Sequence, residues 1–306
     1  MKFAYLMYTD RDFFEISETI SQLTKQDDHV FIMINDNSLR DKITIAFSRN
    51  KNVHVSTSQD YASVGDLSMS RGTILQLKES YERNDVFFDY YINLSDAMIP
   101  IKTREEIVEY LSNNPKDHYY IDSSETENPH LREVFEGYYT LTNIANFPTS
   151  KLTRNLTKGI SKLLKTFNIQ RKIKDKVFIG SPFFILKDDT VEKLAKHYDY
   201  VSSTFSMSWY SEEMYLFMMI NKFISEDFDH INDDMRLLGP NGKWETSVNI
   251  QNVTREQILS TEALFAAKII AEDNPSLYQD YYDIYNKNYV EEEEKEKEFD
   301  FKPIIT

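Results

Sequence analysis

Short apolar runs alternate with stretches of helical periodicity over the first 120 residues. Apolar, β-branched and aromatic residues cluster at 2–8, 29–34, 51–55, 87–93 and 119–122, which predicts five strands. Apolar residues spaced three and four apart predict helices at 12–23, 67–81 and 103–113. Strands alternating with helices predict an α/β fold with a largely parallel sheet and helices on both faces.

The second half contains fewer strands and more helices. Residues 176–186 predict one more strand, interrupted at Gly180-Ser181-Pro182. Helices are predicted at 188–197, 211–223, 261–271 and 276–289, and a loop with short strands at 239–260. The charged run 291–300 predicts a solvated tail.

One strand leads into a polar turn and a capped helix. The run 87–93 ends at Leu94-Ser95-Asp96-Ala97, and Thr103 with Glu106 three positions later forms a capping box for the next helix. Open α/β folds bind their ligands at the carboxyl ends of their strands, so this turn is a candidate ligand contact.

Composition excludes several classes of function. The 306 residues include no cysteine, which excludes thiolate catalysis, and the six histidines show no metal-binding spacing. The net charge of −15 argues against a nucleic-acid partner. No apolar run approaches the roughly 20 residues of a membrane helix, and the first residues are too short for a signal peptide, so we expect a cytoplasmic protein.

Residues 151–176 differ sharply in charge from the rest of the chain. They carry nine Lys and Arg against one acid, Asp175, so this segment is +8 and the remainder −23. Apolar residues recur within it at helical spacing. Two interpretations stay open, a solvated helix packed on the sheet and a helix on an anionic membrane surface.

The order of several motifs resembles one glycosyltransferase family. Leu94-Ser95 followed by Pro100-Ile101-Lys102 resembles the core-2/I-branching N-acetylglucosaminyltransferases (glycosyltransferase family 14) and their bacterial members. Further motifs of that family are matched, in order, at 30–38, 63–68, 180–186, 211–216 and 264–268. The chain departs from the family where Val64 and Phe183 replace tryptophans.

The resemblance implies an architecture and an activity. The fold would be a GT-A-like, Rossmann-type mixed sheet flanked by helices, with additional C-terminal helices. Residues 1–290 would form one domain, with a nucleotide-binding half at about 1–125, an acceptor and catalytic half at about 126–290, and an acidic tail at 291–306. The activity would be inverting, metal-independent transfer of GlcNAc or a related hexose from a UDP-sugar, without a cofactor. The acceptor would be a glycan, glycolipid or glycoprotein in bacterial polysaccharide or glycan synthesis.

The resemblance also assigns a catalytic base and a cationic clamp. Glu213 corresponds to the family's general base, which takes the proton of the acceptor hydroxyl. On a helix, Glu212 would point about 100° away, either as the exposed neighbour or as an acidic residue that interacts with the positive end of the helix dipole. Lys268 would neutralise the diphosphate, with Lys243 as its partner by spacing, or Arg255 or Arg236. Without the resemblance, two glutamates in the capped first turn of a helix are common, and a single lysine in a helix is normally a solvent-exposed surface residue.

The remaining candidates surround the donor and acceptor. Asp36 would face the nucleoside, although alone it equally predicts a helix cap. Gly180 would let the backbone approach a sugar and Phe183 would stack on it, although a β-bulge is the plainer interpretation. The other candidate donor and acceptor contacts are Ser95, Asp96, Ser181, Asp122, Arg132 and Glu212.

Two other functions remain open from the sequence. One is a metal-dependent transferase that uses Asp96 or the acids of Asp227-Phe228-Asp229. The other is a nucleotide- or glycan-binding protein without turnover, which the two replaced tryptophans favour. The oligomeric state is undecided.

Overall fold

The computed structural model describes residues 1–9, 11–56, 67–139, 151–224, 229–239 and 252–287. The strands are β1 (Phe3–Thr9), β2 (His29–Ile34), β3 (Val53–Val55), β4 (Tyr90–Ser95), β5 (Ile99–Pro100), β6 (Asp117–Ser124), β7 (Phe178–Lys187), β8 (His230–Asn232), β9 (Arg236–Leu238) and β10 (Phe265–Ala267). The helices are α1 (Phe13–Leu23), α2 (Asn37–Ala46), α3 (Leu67–Tyr81), α4 (Arg104–Asn113), α5 (Pro129–Phe135), α6 (Lys151–Thr166), α7 (Asp188–Ala195), α8 (Asp199–Phe205), α9 (Tyr215–Phe223), α10 (Arg255–Leu259) and α11 (Pro275–Tyr281). Two 3₁₀ turns lie at Ser211–Glu213 and Ile284–Asn286.

The main sheet has seven strands in the order β3-β2-β1-β4-β7-β6-β8. Its strands run parallel except β7, which is antiparallel to both neighbours. Every residue of β2 is buried, as expected for a central strand covered on both faces. The predicted mixed α/β sheet flanked by helices is therefore confirmed.

Helix α3 and a small second sheet cover opposite faces of the main sheet. Tyr5 of β1 pairs with Val30, so their side chains share a face, and Met33 points to the other face. Met33 lies against Gly72 of α3. On the Tyr5 face lies the three-stranded sheet β5-β10-β9, with the Tyr5 and Phe265 rings 6.4 Å apart.

Local sequence signals explain where several helices begin. The Thr103–Glu106 capping box at the start of α4 is confirmed, and Asp12 caps α1. The predicted helix at 261–271 is wrong. Residues 265–267 form β10, which pairs with β5 and β9, because a fully buried apolar run fits a central strand as well as a helix.

The predicted helix at 211–223 is also divided. The segment starts as a 3₁₀ turn after Tyr210, whose backbone is left-handed with a φ of 56°. Ser211 therefore lies within this turn and is not the N-cap of an α-helix, and α9 begins only at Tyr215.

Among the described residues, no helix is long and apolar enough to cross a membrane.

Candidate active site

The turn that carries Glu213 is held between α3 and β7. The Ser211 and Ser70 hydroxyl oxygens lie 2.6 Å apart, which ties the turn to the first part of α3. Helix α3 follows β3 and returns along the sheet to β4, so its N-terminal end lies at the carboxyl edge of the sheet. The turn therefore presents Glu213 near the edge where α/β folds bind ligands.

Glu213 is a buried carboxylate with an unusually high proton affinity. It is 7% exposed, and one of its oxygens is buried without a hydrogen-bond partner among the described residues. Burial, and then the negative charges of Glu212 and Asp122, raise its pKa from 4.5 to about 8. Such a carboxylate is a stronger base than a solvated one and is suited to accept a proton.

Glu212 is buried as well, at 6% exposed. The expectation that it would be the exposed neighbour is wrong, because it assumed the 100° step of an α-helix. The 3₁₀ turn has three residues per turn and is packed on both α3 and β7, so neither glutamate faces open solvent.

Gly180 allows β7, β6 and α9 to pack together behind this turn. A Cβ on Gly180 would lie 2.2 Å from the Tyr120 carbonyl oxygen and 2.7 Å from Cζ of Phe217. Protein atoms thus fill the space that the sequence suggested for a sugar. The pairing of β6 with β7 shifts register on both sides of the Ile121–Gly180 pair, as the β-bulge interpretation predicts.

The residues after Gly180 point into the protein. The Ser181 hydroxyl is fully buried and donates a hydrogen bond to the Asp234 carboxylate. Phe183 is packed in the main hydrophobic core, so little of its ring is left for a sugar.

Arg236 joins the two sheets and is not available to a diphosphate. Its guanidinium donates to the carbonyl oxygens of Asp234, at 2.5 Å, and Asn93, at 2.9 Å, and is buried. Burial lowers its pKa to about 10, and burial raises the pKa of Asp234 to about 6 against the opposing effect of the arginine. The interpretation of Arg236 as a nucleotide contact is therefore wrong.

The turn after β4 is tied to the turn after β1. Thr9 Oγ1 donates to the Asp96 carboxylate at 3.3 Å, and Arg11 Nη1 donates to the Asp96 carbonyl at 2.8 Å. The Ser95 hydroxyl oxygen is buried without a hydrogen-bond partner in the described part of the chain. A buried hydroxyl at the carboxyl edge of the sheet thus has no hydrogen-bond partner within the described residues.

Lys268 reaches the same turn from the opposite face of the sheet. The backbone N–H of Ile269 donates to the Ala97 carbonyl at 3.0 Å, so Lys268, which directly follows β10, lies beside the β4 turn. Its ammonium pairs with Asp273 and remains partly exposed. Glu213 lies on the face of the main sheet that α3 covers, and Lys268 lies on the face that the three-stranded sheet covers. The turn after β4 lies at the edge of the main sheet, between these two faces.

A comparison with protein families assigns most of the chain to one of them. The family described as Core-2/I-Branching enzyme matches residues 3–260. The chain belongs to this family. It is therefore a glycosyltransferase, and the family implies a nucleotide-sugar donor and a glycan acceptor.

Other comparisons add little to this assignment. No curated protein sequence matches the chain. Among solved structures, the apo crystal structure of mouse xyloside xylosyltransferase 1 is similar at 11% identity, covering 93% of each chain, with a TM-score of 0.35.

The remaining candidate residues of this core-2/I-branching enzyme have other partners. Asp36 is exposed after β2 and caps α2, accepting from the Leu39 N–H at 2.6 Å. Arg255 pairs with Asp280, and Arg132 binds Glu125, Glu136 and the carbonyls of Ile173 and Asp175. Lys243, residues 63–66 of the motif at 63–68, and Asp227 and Phe228 of the acidic triplet lie outside the described residues, whereas Asp229 pairs with Lys116 at 2.9 Å.

Sequence reasoning did not find Arg11, Ser70 or Asp234. Arg11 follows the first strand and could have been found as a basic residue at a strand end. Ser70 and Asp234 have no sequence signal, because their roles depend on contacts with residues far away in the chain.

Proposed function

We propose that this protein is an inverting glycosyltransferase that works without a metal ion and uses Glu213 as its general base. The observation that supports this most strongly is the buried carboxylate of Glu213, whose pKa is raised to about 8. The Glu213 carboxylate takes the proton of the acceptor hydroxyl as that oxygen attacks the anomeric carbon. The bond from that carbon to the diphosphate breaks with inversion, and the product is a β-linkage.

The leaving diphosphate gains negative charge as this bond breaks. Lys268 lies beside the β4 turn and supplies a cation there. When the donor binds, the Lys268 ammonium leaves its present partner, Asp273, and pairs with the diphosphate. Lys243 or Arg255 supplies a second positive charge, and cations placed in advance lower the barrier by stabilising the leaving group.

We propose a UDP-sugar donor, carrying GlcNAc or a related hexose. Asp36 at the end of β2 faces the nucleoside, and Ser95 and Asp96 face the sugar or diphosphate. Asp122, exposed near the end of β6, contacts the acceptor glycan. Residues 1–290 act as one catalytic domain, and the protein works in the cytoplasm of a bacterium in polysaccharide or glycoprotein glycan assembly.

A ligand panel tests the donor and the role of metal together. Thermal unfolding is measured with UDP-, GDP-, CMP- and dTDP-sugars in the presence of EDTA, because a ligand that binds the folded state raises the unfolding temperature. We expect only UDP-sugars to raise it. Stabilisation by GDP- or CMP-sugars alone contradicts the donor, and stabilisation that requires added Mn²⁺ or Mg²⁺ favours the metal-dependent alternative.

Turnover is tested separately from binding. We expect slow hydrolysis of the UDP-sugar in EDTA by the parent protein and its loss in Glu213→Gln. A protein that binds the donor but shows no hydrolysis or transfer would favour the non-catalytic alternative.

A further inference from the structure

Part of the apolar side of helix α6 is exposed. Leu156 and Leu163 are seven residues apart and lie on one side of the helix, and Phe167 follows four residues later in the turn that ends it, where its backbone N–H donates to the Leu163 and Leu164 carbonyls. They are 56%, 57% and 69% exposed, and Ile169, just beyond the helix, is 49% exposed. We call these four residues the α6 ridge.

The contacts of α6 with the rest of the protein lie on other sides of the helix. Thr157 is fully buried, Lys165 pairs with Glu133 of α5 at 3.1 Å, and Lys158 lies over the Trp209 ring at 5.1 Å. These positions are about 100° to 200° around the helix from Leu156. Ile160 and Leu164, which lie between the ridge and Thr157 around the helix, are half-buried, so α6 packs on the protein with one part of its apolar side and leaves the α6 ridge exposed to an external apolar surface.

Exposed basic side chains occur in the same segment of the chain as the α6 ridge. Lys162 is exposed on the helix, and Lys172, Lys174 and Lys176 are exposed in the segment that follows. A cavity of about 220 Å³ between α5 and α6 is lined in part by Lys158, Lys162 and Lys165. Glu133, the partner of Lys165, lines the same cavity and neutralises part of its positive charge.

The charge of the whole chain favours one orientation on an anionic surface. The segment 151–176 is +8 while the remainder is −23, so an anionic surface attracts this segment and repels the remainder of the chain. A bilayer with anionic lipids offers both negative head groups and an apolar interior immediately below them, which matches basic residues beside an apolar ridge.

We propose that the α6 ridge inserts into the surface of an anionic lipid bilayer while the lysines of the same segment bind the lipid head groups. The protein is then held at the membrane peripherally, without a spanning segment. This proposal does not depend on the catalytic role of Glu213, which is on the turn between α3 and β7.

Co-sedimentation with vesicles tests the proposal on the full chain. The vesicles contain either phosphatidylcholine alone or phosphatidylcholine with 30% phosphatidylglycerol. We expect binding to the anionic vesicles only, and weaker binding as salt rises, because salt screens the attraction to the head groups. Absence of binding to anionic vesicles at low salt overturns the proposal.

Matched variants locate the binding surface. Leu163→Ser and Phe167→Ser should weaken binding roughly tenfold or more each, since each removes an apolar side chain that enters the bilayer. The controls Leu259→Ser on α10 and Phe87→Ser before β4 change residues that are 74% and 85% exposed and should bind like the parent. All four sites are on the surface, so circular dichroism should show folded proteins.

Two results would contradict the proposal. One is equal loss of binding in the ridge variants and the controls. The other is a parent protein that self-associates in size-exclusion chromatography, does not bind vesicles, and becomes monomeric in Leu163→Ser, which would assign the ridge to a second copy of the chain.

Discussion

The hydroxyl groups of Ser211 and Ser70 form a hydrogen bond with 2.6 Å between the oxygens, which links the Glu213 turn to α3. The Ser70 hydroxyl also lies 3.0 Å from the Leu67 carbonyl oxygen within α3. The turn that carries the proposed base is therefore positioned by a helix 141 residues earlier in the chain.

Replacing Ser70 tests whether this link positions Glu213. Ser70→Ala removes a hydrogen-bond partner of the Ser211 hydroxyl in a buried site, which should lower the free energy of unfolding by about 1–2 kcal/mol. Since the turn can then shift, kcat should fall more than KM rises. Urea unfolding and steady-state kinetics measure the two effects. Unchanged kcat in a destabilised variant would show that the link only stabilises the fold.

The close packing around Gly180 is tested by adding one methyl group. In Gly180→Ala the new Cβ meets the Tyr120 carbonyl oxygen at 2.2 Å, so the backbone must move and the variant should lose about 2–3 kcal/mol of stability. The control is Gly159→Ala on α6, where the added Cβ would meet no neighbouring atom within 4 Å. Alanine stabilises a helix by up to about 1 kcal/mol relative to glycine. Thermal unfolding should move in opposite directions for the two variants. A stable Gly180→Ala protein would contradict the packing described.

The rate of transfer should depend on the ionisation of Glu213. A general base must be deprotonated, so kcat/KM should rise with pH up to about 8, the pKa to which burial and neighbouring acids raise this carboxyl. Asp122→Asn removes one of those negative charges and should move the midpoint to lower pH by a few tenths of a unit, since Asp122 is exposed and screened. An upward shift, or no rise with pH, would contradict the assignment.

The main sheet could be predicted from the sequence because its signals are local. The run His29–Ile34 is β2, and the interval 67–81 is α3, as the apolar patterns predict. The capping box of Thr103 is visible in four residues of sequence. These signals need no knowledge of the tertiary structure.

The site could be predicted only in part, because tertiary contacts determine it. Phe265–Ala267 forms a strand because β5 and β9 pair with it, and the local sequence pattern does not reveal these pairings. Glu212 is buried because its turn packs against α3 and β7. Arg236 is buried and hydrogen-bonds to residues far away in the chain, so it cannot bind a diphosphate. The positions of Glu213 and Lys268 came from the family resemblance, and their chemical roles remain predictions.

The role of Lys268 is tested by UDP binding. Lys268→Ala should weaken binding of UDP roughly tenfold, measured by calorimetry in EDTA, because it removes a cation from the diphosphate. The control is Lys196→Ala, which removes a lysine paired with Glu192 on the surface and should bind UDP like the parent. Equal affinity of the Lys268 variant and the parent would exclude Lys268 from the clamp.

Loss of activity in Glu213→Gln must be separated from loss of folding. The folded protein keeps the Glu213 proton up to pH about 8, whereas the unfolded chain releases it near 4.5, so ionisation reduces stability as pH rises between these values. Glutamine has the same shape and no charge. We expect the variant to be at least as stable as the parent at pH 8.

The most direct test is single-turnover transfer from a UDP-sugar by Glu213→Gln, with Glu212→Gln as the neighbouring comparison. The account predicts that the Glu213 variant binds UDP like the parent and transfers sugar about 10²–10⁴-fold more slowly, with a much smaller loss in the Glu212 variant. A Glu213→Gln protein that transfers sugar within a few-fold of the parent rate would contradict the central claim that this carboxylate is the base.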